Sequence, residues 1–153
     1  MPPSFSLTTF GCQMNRHDSE LIASALKGRG WRRVGEAEAA DAVLINTCSV
    51  RGHAEERALS RLRGLGPRRR SSPRPLVVLL GCLAQLRGGK LMDDFPWLDL
   101  AVGTGAYPRL PEALSALLAS RTRRRETAFL PPEEFWRGGA ERESAVTAGE
   151  VGA

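Results

Sequence analysis

Three cysteines, Cys12, Cys48 and Cys82, are the residues of this sequence best suited to chemistry, and they stand 36 and 34 residues apart. Their odd number argues against a closed disulfide framework. No two are close enough to make the Cys-x-x-Cys pair of a zinc ribbon. Each, however, comes just after an apolar, β-prone run: residues 4–9 precede Gly11-Cys12, residues 42–45 precede Asn46-Thr47-Cys48, and residues 76–80 precede Gly81-Cys82. In an open parallel sheet all strands end on one edge, and ligands bind there, at the point where strand order switches. In the common order 2-1-3-4-5 the first, third and fourth strands are neighbours. At ~4.8 Å between strands, three thiols then gather within roughly 10 Å. Converging thiolates suit a soft metal. An iron–sulfur cubane takes four cysteines as a rule, so three leave one iron open to a small ligand or substrate. Zinc is the competing metal, because His17 and His53 each lie five residues after a cysteine and either would complete a Cys₃His site.

The elements that must carry these thiols follow from periodicity. Residues 4–9 read as a first strand. A helix capped by Asn15 follows, with a stripe at Leu21, Ile22, Ala25 and Leu26, and it stops at Gly28 and Gly30. Residues 31–34 read as a short second strand and 42–45 as a third, covered on both faces. The next helix carries Ala54, Ala58, Leu59, Leu62 and Leu65 on one side. It ends at Gly66-Pro67, and an arginine-rich loop follows. Residues 76–80 are the clearest buried strand. A short helix over 90–94, a fifth strand over 98–102, and a helix with Leu110, Ala113, Leu114, Leu117 and Leu118 on its face, Pro111 near its start, complete the pattern. Strands alternating with helices imply an α/β fold: an open parallel sheet of about five strands with helices on both faces, of the Rossmann or flavodoxin-like kind. Residues 1–120 are expected to form this domain. Residues 121–153 lack sustained periodicity, hold Pro131-Pro132 and Gly138-Gly139, and are expected to be a linker or tail. Phe129, Phe135 and Trp136 in it are available for docking.

Composition excludes several classes. At 153 residues, 42% hydrophobic and 25% charged, the chain is neither disordered nor collagen-like. No stretch approaches the ~20 apolar residues of a membrane span, and the N-terminus lacks the basic and apolar regions of a signal peptide. A cytoplasmic protein is expected, in which thiols stay reduced and spaced cysteines point to metal or catalysis. The net charge of +5 comes from 22 basic residues, of which only Lys27 and Lys90 are lysine. So strong an arginine bias reflects coding as much as chemistry. Two runs matter more than the sum: Arg61, Arg63, Arg68, Arg69, Arg70 and Arg74, and then Arg121, Arg123, Arg124 and Arg125. Each is either a set of phosphate contacts or a solvated surface.

Gly11 and Gly81 permit sharp turns and let a bulky cluster approach the backbone. Asn15, Asn46, Thr47 and Ser49 are placed either to hydrogen-bond cluster sulfurs or simply to cap turns. The segments Thr9-Phe10-Gly11-Cys12-Gln13-Met14-Asn15, Asn46-Thr47-Cys48-Ser49-Val50-Arg51 and Gly81-Cys82-Leu83-Ala84-Gln85 together resemble the N-terminal domain of the radical-SAM methylthiotransferases. The first segment and Ser49-Val50-Arg51 are most similar to the branch that methylthiolates isopentenyladenosine beside the tRNA anticodon. Other branches act on threonylcarbamoyladenosine in tRNA or on a ribosomal-protein aspartate. The resemblance covers residues 7–118. It implies that Cys12, Cys48 and Cys82 ligate an auxiliary [4Fe–4S] cluster whose open iron holds the sulfur species to be transferred. It also implies a second [4Fe–4S] cluster that cleaves S-adenosylmethionine in a following domain, tRNA and a sulfur donor as partners, and no membrane.

No cysteine follows Cys82, so the Cys-x-x-x-Cys-x-x-Cys of the radical domain is absent from this sequence. Ser144-Ala145-Val146-Thr147-Ala148 resembles the approach to that domain. The expectation is a fragment or truncated product that binds a cluster and has no catalytic residue of its own. The alternatives are a non-catalytic zinc- or RNA-binding α/β module and a methylthiotransferase of another branch. A flavin domain would share the fold, but no phosphate-binding loop is recognisable.

Overall fold

The computed structural model describes residues 2–11, 13–35, 40–47, 52–72, 75–120 and 124–126. In chain order the elements are β1 (Ser4–Phe10), α1 (Gln13–Gly28), β2 (Arg32–Arg33), β3 (Ala42–Thr47), α2 (Gly52–Gly64), α3 (Gly66–Ser71), β4 (Leu76–Gly81), α4 (Cys82–Asp94), β5 (Leu100–Val102), a 3-10 helix at Thr104–Arg109, α5 (Leu110–Ser120) and β6 (Arg124–Glu126). One sheet runs β2-β1-β3-β4-β5-β6, and every neighbouring pair is parallel. The order expected for the first five strands is the order found.

Continuous apolar runs become two cores, because successive strand residues point to opposite faces. Leu44, Val78, Leu80, Leu100 and Val102 pack with Ile22 and Leu26 of α1 and with Leu114 and Leu117 of α5. Val43, Ile45, Val77, Leu79 and Ala101 pack with Leu59 and Leu62 of α2 and with Leu83 and Leu91 of α4. β3 and β4 are buried along their whole length. That is why their sequence shows no alternation.

Several expectations are corrected. The helix expected over 90–94 begins at Cys82 and runs 13 residues. Gly88-Gly89 hides it in the sequence by lowering helix propensity about 1 kcal/mol each. Burial of Leu83, Ala84, Leu91 and Met92 overrides that cost. The arginine-rich loop contains α3, with Pro67 in its first turn, where a missing N–H costs nothing. In α1 the buried stripe is Ser19, Ile22, Ala23 and Leu26, while Ala25 is exposed. Asn15 lies inside its first turn rather than capping it. β2 and β5 are shorter than expected, at two and three residues. Arg124–Glu126, within the expected linker, adds a sixth strand beside β5. An edge strand needs only backbone groups to pair, so no apolar pattern announces it. Phe129, Phe135 and Trp136 lie outside the described residues. Among the described residues no helix is long and apolar enough to cross a membrane.

Candidate metal centre

At the carboxyl edge the ends of β1, β3 and β4 stand side by side. Thr9 pairs with Asn46 and Asn46 with Leu80; one residue on, Phe10 pairs with Thr47 and Thr47 with Gly81. The cysteines come next in the chain. Cys82 follows Gly81 directly, Cys48 follows Thr47 directly, and Cys12 comes two after Phe10. The row Phe10–Thr47–Gly81 covers two strand spacings, roughly 10 Å. Cys82 is the half-buried first residue of α4; Cys12 and Cys48 lie outside the described residues. Among the described residues, which include only one of the three cysteines, no group of three histidine, cysteine or carboxylate side chains is placed to hold a metal. His17 and His53 are both exposed, one on α1 and one on α2.

The backbone at this edge suits a bulky group held by thiolates. Gly11 (φ 135°) and Gly81 (φ 100°) both have positive φ, which lets the chain turn off the strand within one residue. A Cβ on Gly81 would overlap the Thr47 carbonyl oxygen and come within 2.6 Å of Asn46 Oδ1. The ends of β3 and β4 therefore approach as closely as only glycine allows. The first turns of α1 and α4 start right after Cys12 and at Cys82. The positive ends of two long helices thus face the edge, and a helix N-terminus favours thiolate over thiol. Thiol side chains and glycine clearance suit a soft, bulky metal group at this edge.

Behind the edge lies a polar wall. Ser19 Oγ shares a hydrogen bond with Thr9 Oγ1 at 2.7 Å and accepts one from Asn46 Nδ2 at 2.9 Å. Thr47 Oγ1 donates to the Ala54 carbonyl of α2 at 3.4 Å. Asn46 and Thr47 are both fully buried. Their side chains join strands to helices inside the wall; Ser49 lies outside the described residues. On the α2 side the Arg57 guanidinium lies 5.3 Å over the Phe10 ring, and Arg87 pairs with Glu55 at 2.8 Å across α4 and α2.

Two further groups were not legible as site residues. Tyr107, on the 3-10 helix, is buried. Its phenol is pushed well above the usual range, first by burial and then by the negative charges of Asp18 and Cys82. Asp18, Tyr107 and Cys82 thus lie within electrostatic reach. Burial also raises the Asp18 carboxyl above its ordinary 3.8, and His17 opposes this. For a carboxyl raised on folding, the folded chain binds the proton more tightly than the unfolded one. The two states are equal well below pH 3.8. As pH climbs from there toward the folded value, stability falls. Asp18→Asn, which mimics the protonated form, should therefore gain on the native chain across that window, as measured by urea denaturation between pH 3 and 7. A constant difference over that range would contradict the placement of Asp18.

Of the first arginine run, Arg61 and Arg63 are on α2, Arg68, Arg69 and Arg70 are on α3 at the edge where β5 begins, and Arg74 lies outside the described residues. Arg69 grips Asp99 through Nε at 3.0 Å and Nη2 at 2.7 Å. In the second run, Arg124 and Arg125 belong to β6, and Arg121 and Arg123 lie outside the described residues.

The fold defines a class: a doubly wound, all-parallel α/β domain, the kind that binds ligands at its switch-point edge, here with a cysteine in the chain after each of three adjacent strand ends. Residues 4–103 match the model of the family described as uncharacterized protein family UPF0004, and the chain belongs to that family. It is 43% identical over 115 residues to a tRNA-2-methylthio-N(6)-dimethylallyladenosine synthase of Opitutus terrae, covering 75% of this chain and 24% of that protein. It is 40% identical to proteins of the same name from Mycolicibacterium vanbaalenii (82% of this chain, 24% of that one) and from a Jannaschia species (88% and 29%). The chain thus spans about a quarter of the length of these relatives.

Proposed function

We propose that the chain is the auxiliary cluster-binding domain of a tRNA methylthiotransferase that converts isopentenyladenosine beside the anticodon to its 2-methylthio form. The observation that carries this reading is the row Phe10–Thr47–Gly81, three aligned strand ends each followed by a cysteine. The similarity to synthases named for that modified adenosine supports the branch. Cys12, Cys48 and Cys82 would hold a [4Fe–4S] cluster, with Gly11 and Gly81 giving it room. With three cysteine ligands, such a cluster would keep one iron open, where a sulfur species could be held for transfer. The radical step, S-adenosylmethionine and its own [4Fe–4S] cluster belong to a part of the enzyme outside these 153 residues. tRNA and a sulfur donor are partners of the whole enzyme, and a reducing cytoplasm suits its thiolates.

Anaerobic reconstitution of the chain with iron and sulfide should give about four irons and about four sulfides per chain. Cys48→Ala should retain almost none, with circular dichroism unchanged. A native chain that stays colourless and iron-free overturns the reading. So does one zinc per chain that is lost on His17→Ala or His53→Ala.

A further inference from the structure

We propose that Ser19, together with Thr9 and Asn46, is a positioning group for the cysteine triplet, a role that rests on the cluster reading above. Ser19 sits on the buried stripe of α1 at 2% exposure. A hydroxyl is not needed for packing there, since its stripe neighbours Ile22, Ala23 and Leu26 are apolar. Its oxygen joins three segments at one point: Thr9 Oγ1 of β1 at 2.7 Å, Asn46 Nδ2 of β3 at 2.9 Å, and α1 itself. A serine hydroxyl has one proton to donate and two lone pairs to accept with, so it serves both neighbours at once.

The placement of this joint matters more than its strength. Thr9 and Asn46 are register partners on adjacent strands. Thr9 stands three residues before Cys12, Asn46 two residues before Cys48, and Ser19 seven residues after Cys12 on the helix that follows it. The joint therefore fastens β1 and α1, the two elements that flank Cys12 in the chain, to the strand that leads to Cys48. Asn46 Oδ1 also lies where a side chain on Gly81 would go, so the same residue borders the turn into Cys82. A buried hydrogen-bonded network of this kind favours one arrangement of the segments it joins. Residues that orient ligands in this way typically change metal affinity 10- to 100-fold when removed.

The test uses the 153-residue chain, reconstituted anaerobically, with two readouts: the rate of iron release to a chelator and the low-temperature EPR spectrum of the reduced cluster. Ser19→Ala should release iron about 10-fold faster or more and change the spectrum. Ser19→Thr, which keeps the hydroxyl, should restore both. Thr9→Val keeps shape, removes one hydroxyl, and should shift both readouts in the same direction; it carries the test if Ser19→Ala does not fold. Native-like iron release and spectra in Ser19→Ala and Thr9→Val overturn the proposal. A lowered unfolding midpoint with an unchanged spectrum does so too, since that is a purely structural role. Failure of the native chain to take up iron is a separate result, and it overturns the cluster reading itself.

Discussion

Gly81→Ala should destabilise the chain by about 3 kcal/mol or more, the sum of a glycine-only backbone conformation and a forced overlap. Gly81 has φ 100° and ψ −162°, a region closed to side-chain-bearing residues by the contact of Cβ with its own backbone. The added Cβ also has nowhere to go. It would overlap the Thr47 carbonyl oxygen and approach Asn46 Oδ1 to 2.6 Å and Thr47 N to 3.3 Å. Two of these three are backbone atoms inside a parallel ladder, held by their own strand partners. Relief therefore requires the ends of β3 and β4 to part. Urea denaturation should show the midpoint falling with the slope preserved. Iron uptake should fall with it, because these two ends lead to Cys48 and Cys82. A loss under about 1 kcal/mol would mean that the edge is far more compliant than a packed sheet allows.

Asp99→Ala should cost about 3 kcal/mol, the lower end of the range for breaking a buried ion pair. The Asp99 side chain is 4% exposed and that of Arg69 is 20% exposed. Asp99 accepts two hydrogen bonds from Arg69 and one from the backbone N–H of Val77 at 2.9 Å. Its removal strips the Val77 N–H of this buried partner and leaves a guanidinium with only partial access to water, which places the cost at the lower end. The pair fastens α3 to the amino edge of the sheet, away from the cysteines. Iron uptake by the folded fraction should therefore stay native, as read by iron content per folded chain. The two variants together separate stability from site geometry: both weaken the fold, and only Gly81→Ala disturbs the thiols.

The fold class, the order of the first five strands and the alignment of the three strand ends that precede the cysteines were legible in the sequence because they rest on local signals. Apolar runs such as Leu76 to Leu80 are strands whatever surrounds them, and Gly-Cys marks where two of them stop. Once strands alternate with helices, handedness and parallel pairing leave few arrangements. That alone brings the ends of β1, β3 and β4, which Cys12, Cys48 and Cys82 follow in the chain, to one edge of the sheet. Propensity misled where packing outweighed it. Gly88-Gly89 and Pro67 read as breakers, yet they lie within α4 and α3, because the burial of Leu91 and Met92, and Pro67's place in a first turn, count for more.

Tertiary structure alone decided the remaining roles. A serine on a helix and an asparagine on a strand carry no sign that they meet, and only the β1–β3 register with α1 laid across it brings Ser19 to Thr9 and Asn46. The same holds for Arg69. In the sequence it is one of a run of cations facing water or phosphate, and in the fold it is the half-buried partner of the buried Asp99, 30 positions away. Side-chain type and spacing determine which groups a chain possesses and which edge they reach. Which of them touch is set by long-range register and packing, because contact energies depend on distances of a few ångströms that no local pattern encodes.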